Sequence, residues 1–110
     1  MKNKHLKMYI LIKDFMDVGH AVNTAAHAGA MIDSRGWSKD DPVMKDWYTN
    51  SFRKVTCKVT DKEFEKSKTY FNDDEYFLVT EMAFDNKEVA IVFKPKKEFP
   101  KFFSFLKLYK

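Results

Sequence analysis

Apolar and polar positions follow two different periods along this chain, and the switches between them mark the elements. Met8-Tyr9-Ile10-Leu11-Ile12 is a short unbroken apolar run, the pattern of a buried strand. Behind a polar turn from Lys13 to Val18, Ala21, Ala25 and Ala28 recur one helical turn apart, which predicts a helix whose small side chains lie close on a sheet. Val55, Cys57 and Val59 alternate with polar residues and predict the buried face of a second strand over 52–59. Thr60-Asp61-Lys62-Glu63 has the spacing of a capping box and opens a helix over 62–71, with Phe64, Ser67, Lys68 and Phe71 inward. Tyr76 to Thr80 and Glu88 to Phe93 predict an antiparallel strand pair, and the continuous run Val89 to Phe93 suits a strand covered on both faces.

The segments between are read from their punctuation. Asp33 to Pro42 is loop, broken at Gly36 and Pro42, and Asp40 or Asp41 before Pro42 starts a short helix through Val43, Met44, Trp47 and Tyr48. Pro95 ends the fourth strand, Lys96 to Ser104 predicts a last short helix, and Phe105 to Tyr109 a terminal strand-like segment. The order β-α-(α)-β-α-β-β-α-β predicts an α/β fold: one domain over residues 1–110, a three-layer α/β/α arrangement with a small mixed sheet and helices on both faces.

Composition narrows the class. A chain of 110 residues with 45% apolar content and 11 phenylalanines buries a core, which excludes disorder. No apolar run reaches the ~18–20 residues that span a bilayer, and the charged start Met1 to His5 lacks the layout of a signal peptide. A cytoplasmic protein is expected. Cys57 is the only cysteine, so an intrachain disulfide and a thiolate zinc cluster are both excluded, and a buried structural thiol is expected rather than a nucleophile.

The net charge is +4, and six lysines face a single acid, Glu98, between Lys94 and Lys110. Phe93, Phe99, Phe102, Phe103, Phe105 and Tyr109 are interleaved with them. The segment reads either as a phosphate-facing patch or as solvated lysines around buried rings.

Candidate chemistry concentrates on the first helix. His20, Asn23, Thr24 and His27 fall at i, i+3, i+4 and i+7, one polar stripe that begins where the chain leaves the first strand. In open α/β sheets ligands bind outside the carboxyl ends of the strands. The two histidines are ~10.5 Å apart along the axis at 1.5 Å per residue, too far to share one ion, so neither metal nor cofactor is expected. His27 reads as a partly buried histidine bonded to backbone, with ligand contact as the alternative. Trp37, Trp47 and Tyr48 read as packing, with an aromatic ligand cage as the sharper alternative.

These motifs together resemble the type II peptidyl-tRNA hydrolase superfamily. Lys13-Asp14 followed by Gly19-His20-Ala21-Val22-Asn23-Thr24-Ala25-Ala26-His27-Ala28 is similar to that family's R-x-D-L and G-K-x-x-A-Q-x-x-H-A. Phe52 to Val55 resembles its second strand, Phe77 to Glu81 its third, Ala90 to Pro95 its V-L-A-I-G-P, and Phe105 to Tyr109 its closing L-K-L-Y. The likeness runs from Met8 to Tyr109 and is nearest to a divergent branch, the peptidyl-tRNA hydrolase domain-containing and bacterial proteins with G-x-A-x-N-x-A-A-H. His20 stands where active members carry lysine, Thr24 where they carry glutamine, and Glu81 to Asp85 replaces their D-A-G-x-T.

The resemblance implies hydrolysis of the ester joining a peptide to tRNA, with the reactive groups rewritten. That reaction needs an activated water, a partner for the oxyanion and contacts to phosphates. His20 is the candidate base, with Glu81 or Asp85 as its carboxylate partner, and Asn23 the candidate oxyanion donor. Thr24 and His27 complete the helix stripe, and Lys13, Lys94, Lys96, Lys97 and Lys101 are candidate phosphate contacts. The implied partner is tRNA or another phosphate-bearing ligand. A non-enzymatic RNA-, nucleotide- or protein-binding module on the same helix face is the alternative. The resemblance also implies self-association through the first helix, with Met31, Trp37 and Trp47 as contact residues.

Overall fold

A computed structural model describes residues 5–35, 37–38 and 40–110, the Arg35 side chain excepted. The charged start Met1 to Lys4 and the loop residue Gly36 lie outside the described residues. The fold is built around the first apolar run. Strand β1 (Lys7–Lys13) lies at the centre of a five-stranded mixed sheet of order β3-β4-β1-β2-β5. It runs parallel to β2 (Arg53–Val59), with Lys7 opposite Arg53 and Lys13 opposite Val59. On its other side it is antiparallel to β4 (Lys87–Phe93), with Ile10 opposite Val92. The expected antiparallel pair forms between β3 (Tyr76–Glu81) and β4, and β5 (Lys107–Leu108) closes the sheet against β2.

A parallel pair needs a crossover, and helices α1 (Val18–Ala30) and α2 (Pro42–Asp46) supply it between β1 and β2. Alternate residues of β1 enter two separate cores, because successive side chains of a strand point to opposite faces. Met8, Ile10 and Ile12 meet Ala21 and Ala28 of α1, Met44 of α2 and Trp47. Tyr9 and Leu11 meet Phe64 of α3 (Asp61–Ser67) and Phe103 of α4 (Lys101–Ser104), together with Phe93 and Leu106. Each large apolar side chain fully buried this way contributes about 1.5–3 kcal/mol.

The predicted caps form. Thr60 Oγ1 accepts from the Glu63 amide at 3.1 Å, and Glu63 Oε1 accepts from the Thr60 amide at 2.9 Å. Asp41 caps α2 with Pro42 in its first turn. Cys57 is buried, as its place in the alternation predicts.

Three segments differ from the sequence reading. The helix expected over 62–71 tightens into a 3-10 turn at Lys68–Tyr70. The last helix begins only at Lys101, because Lys96 pairs antiparallel with Lys7 and Pro100 holds the chain extended before the first turn. After α2 the chain widens into a π-helical turn, Trp47–Ser51. No helix among the described residues is long and apolar enough to cross a membrane.

Candidate functional site

Asp17 creates the local geometry. It sits in extended conformation as the N-cap of α1, and its Oδ1 accepts from the backbone amide of His20 at 2.9 Å. The same oxygen lies 3.0 Å from His20 Nδ1. One carboxylate therefore ends the helix and holds the imidazole. The amide bond from His20 is the main reason the Asp17 carboxyl titrates below its ordinary range, and the bond to the imidazole adds to it. Asp17 was not among the expected site residues; the signal for it is an aspartate three positions before a histidine at a helix start.

The other side of the imidazole meets a ring. His20 and Phe84 have centroids 5.0 Å apart, Phe84 packs edge-on against Phe15 at 5.0 Å, and Lys87 Nζ stands 4.6 Å from the Phe15 centroid. The imidazole remains 42% exposed. It opens on a surface depression of about 530 Å³ lined by Asp17, Val18, Gly19, His20, Val22 and Asn23. A Cβ at Gly19 would meet only Asp17 Oδ1, at 3.5 Å, so close packing does not require glycine there.

The carboxylate expected for His20 pairs elsewhere. Glu81, at the end of β3, accepts from the Ala83 amide at 3.2 Å and lies 3.6 Å from His27 Nε2. Each histidine on α1 thus has its own acid: Asp17 for His20 and Glu81 for His27. His27 is a surface residue, 55% exposed, whose contact is this carboxylate and not the expected backbone group.

The stripe is also narrower than its spacing suggests. Asn23 faces the depression, whereas Thr24 is fully buried and donates its hydroxyl to Met16 Sδ at 3.6 Å. Thr24 therefore belongs to the core. Asp85 is exposed at a turn, in left-handed conformation (φ 55°), with its amide bonded to the Met82 carbonyl.

The lysines do not converge on His20. Lys13 leaves β1 on the α3 side, pairs with Asp61 at 3.3 Å and lies 4.5 Å from the Phe64 centroid. Lys94 and Lys96 follow β4 at the level where β1 begins, about 20 Å from where it ends at ~3.3 Å per residue. Lys94 pairs with Asp41 at 2.8 Å and Lys96 with Glu75 at 2.6 Å. Lys97 and Lys101 are exposed near the same stretch of chain. Phosphate contacts from Lys94 and Lys96 and chemistry at His20 belong to different ends of the sheet. No family model and no curated protein sequence matches this chain.

With Asp17 accepting from Nδ1–H, the His20 lone pair is on Nε2, the arrangement of an oriented general base. Among the described residues no three His, Cys, Asp or Glu side chains form a group that would hold a metal ion.

Proposed function

We propose that this chain is a type II peptidyl-tRNA hydrolase-like domain with a rewritten active site, acting on the ester that joins a peptide or amino acid to tRNA. The three-layer α/β/α arrangement is part of this reading and is supported by the two cores fed from alternate residues of β1. The observation that carries the chemistry is the 3.0 Å contact between Asp17 and His20 at the carboxyl end of the central strand. Asp17 orients the imidazole, and His20 Nε2 takes a proton from water as the water attacks the ester carbonyl. Asn23 donates to the oxyanion. The protonated imidazole then returns its proton to the departing ribose oxygen.

The test is turnover of a peptidyl-tRNA at micromolar enzyme. His20→Ala lowers it about 10²-fold or more, and Asp17→Asn lowers kcat more than it changes KM. Absence of turnover removes the hydrolase reading. A non-enzymatic module that binds RNA, a nucleotide or a protein on the same face is the second reading, favoured by Val18, Val22 and Met82, which stand exposed on α1 and the neighbouring turn. Binding without turnover, lost in Val22→Asp, selects it.

A further inference from the structure

One residue beside the imidazole lacks a side chain, and the fold does not ask for that. Gly19 is the second residue of α1, and its φ lies outside the left-handed region that favours glycine. The single contact open to a Cβ there, Asp17 Oδ1 at 3.5 Å, is an ordinary van der Waals distance. Glycine is a poor helix former, yet at this position neither backbone conformation nor packing requires it.

What the missing side chain leaves is room. Val18 and Val22, four positions apart, form one row along the helix surface, and His20 and Asn23, three apart, form another. Gly19 lies between the rows and makes the floor of the depression on which the imidazole opens. Helical side chains lean towards the N-terminus, so Val22 and Asn23 reach over that floor from the next turn. Phe84 packs against the imidazole from the turn after β3, which leaves the Gly19 side as the way in to His20.

The two rows differ in chemistry. One offers an imidazole and an amide; the other is a pair of valines, 71% and 62% exposed. α1 carries no Lys, Arg, Asp or Glu in its 13 residues. Among the described residues that line the depression none is a cation, and its one acid is Asp17, whose Oδ1 already accepts from the His20 amide and meets the ring.

We propose that Gly19, Val18 and Val22 form the acyl subsite of the reaction proposed above, Gly19 as floor and the valines as wall, and that this subsite selects an apolar aminoacyl residue. The inference rests on the hydrolase reading. The side chain of the acyl residue begins two bonds from the carbonyl carbon under attack. With that carbonyl against His20 and Asn23, the side chain crosses the Gly19 floor and meets the valines, where burying its CH2 groups is favourable. A glutamyl side chain would bring a second negative charge beside Asp17. A lysyl side chain would compete with His20 for the Asp17 carboxylate.

The test is kcat/KM of the full chain on N-acetyl-leucyl, -glycyl, -glutamyl and -lysyl esters of one and the same tRNA. The leucyl ester is hydrolysed about tenfold better than the glycyl ester, and the two charged esters no better than the glycyl. Val22→Ser removes the apolar wall and Gly19→Leu fills the floor, so each brings the leucyl-to-glycyl ratio towards one. Gly19→Leu melts no lower than the wild type, because leucine is the better helix former. Its pH profile on the glycyl ester keeps the wild-type midpoint, because a Cβ at 19 clears Asp17. Equal rates on leucyl and glycyl esters, with turnover lost in His20→Ala, overturn the subsite and leave the hydrolase reading standing. An unchanged ratio in folded Gly19→Leu, or preference for the lysyl ester, does the same. Turnover of none of the four esters removes both.

Discussion

At the scale of single residues, partners decide what each titratable group can do. The bond from Lys94 holds the Asp41 carboxyl below its ordinary range, and the bond from Lys96 does the same for Glu75. A depressed folded-state value stabilises the fold above the unfolded carboxylate range, near pH ~4, and that gain is lost as pH falls through the folded value. Denaturant midpoints are therefore expected to fall between neutral and acid pH, and to fall less steeply in Asp41→Asn combined with Glu75→Gln. Cys57 behaves in the opposite direction: burial, aided by Glu63, pushes its thiol up to about 11. An aromatic disulfide reagent at mildly alkaline pH should leave the native thiol unmodified and react fully once the chain is denatured.

At the scale of elements, short-range signals translate directly into geometry. Thr60→Ala removes one arm of a formed capping box and should destabilise by about 1 kcal/mol, read as a drop of several degrees in melting temperature. Strand positions and the caps at Thr60 and Asp41 were legible in the sequence because apolar period and N-cap chemistry act within a few residues. The end of α3 and the start of α4 were not, since Lys96 pairs with Lys7 across 89 positions, a contact no local window contains. The site was legible by half. Spacing put His20, Asn23 and His27 on one polar stripe of α1, but it also put Thr24 there, whose hydroxyl bonds to Met16 inside the core. Asp17 escaped notice because its capping role and its bond to an imidazole appear only once the helix start is fixed.

At the scale of the whole molecule, charge and chemistry are separated by the length of the central strand. Lysines close together in sequence after β4 gather near the start of β1, whereas the imidazoles follow its end. What joins the ends is the second core, where the Phe103 ring contacts Tyr9, Tyr70, Phe71, Phe93, Phe99 and Phe102. Phe103→Ala should cost about 3–5 kcal/mol in urea unfolding, a large part of the ~5–15 kcal/mol that holds a domain folded. The loss should appear as a lower midpoint at constant slope.

Among the five strands of the sheet, the central one is also synthesised first. Its parallel neighbour lies some forty residues further along and its antiparallel neighbour further still. During synthesis this apolar strand waits with both edges bare, a window in which association with other nascent chains competes with folding. Yield in cells should therefore respond to translation speed and to chaperone supply more than the stability of the finished protein suggests.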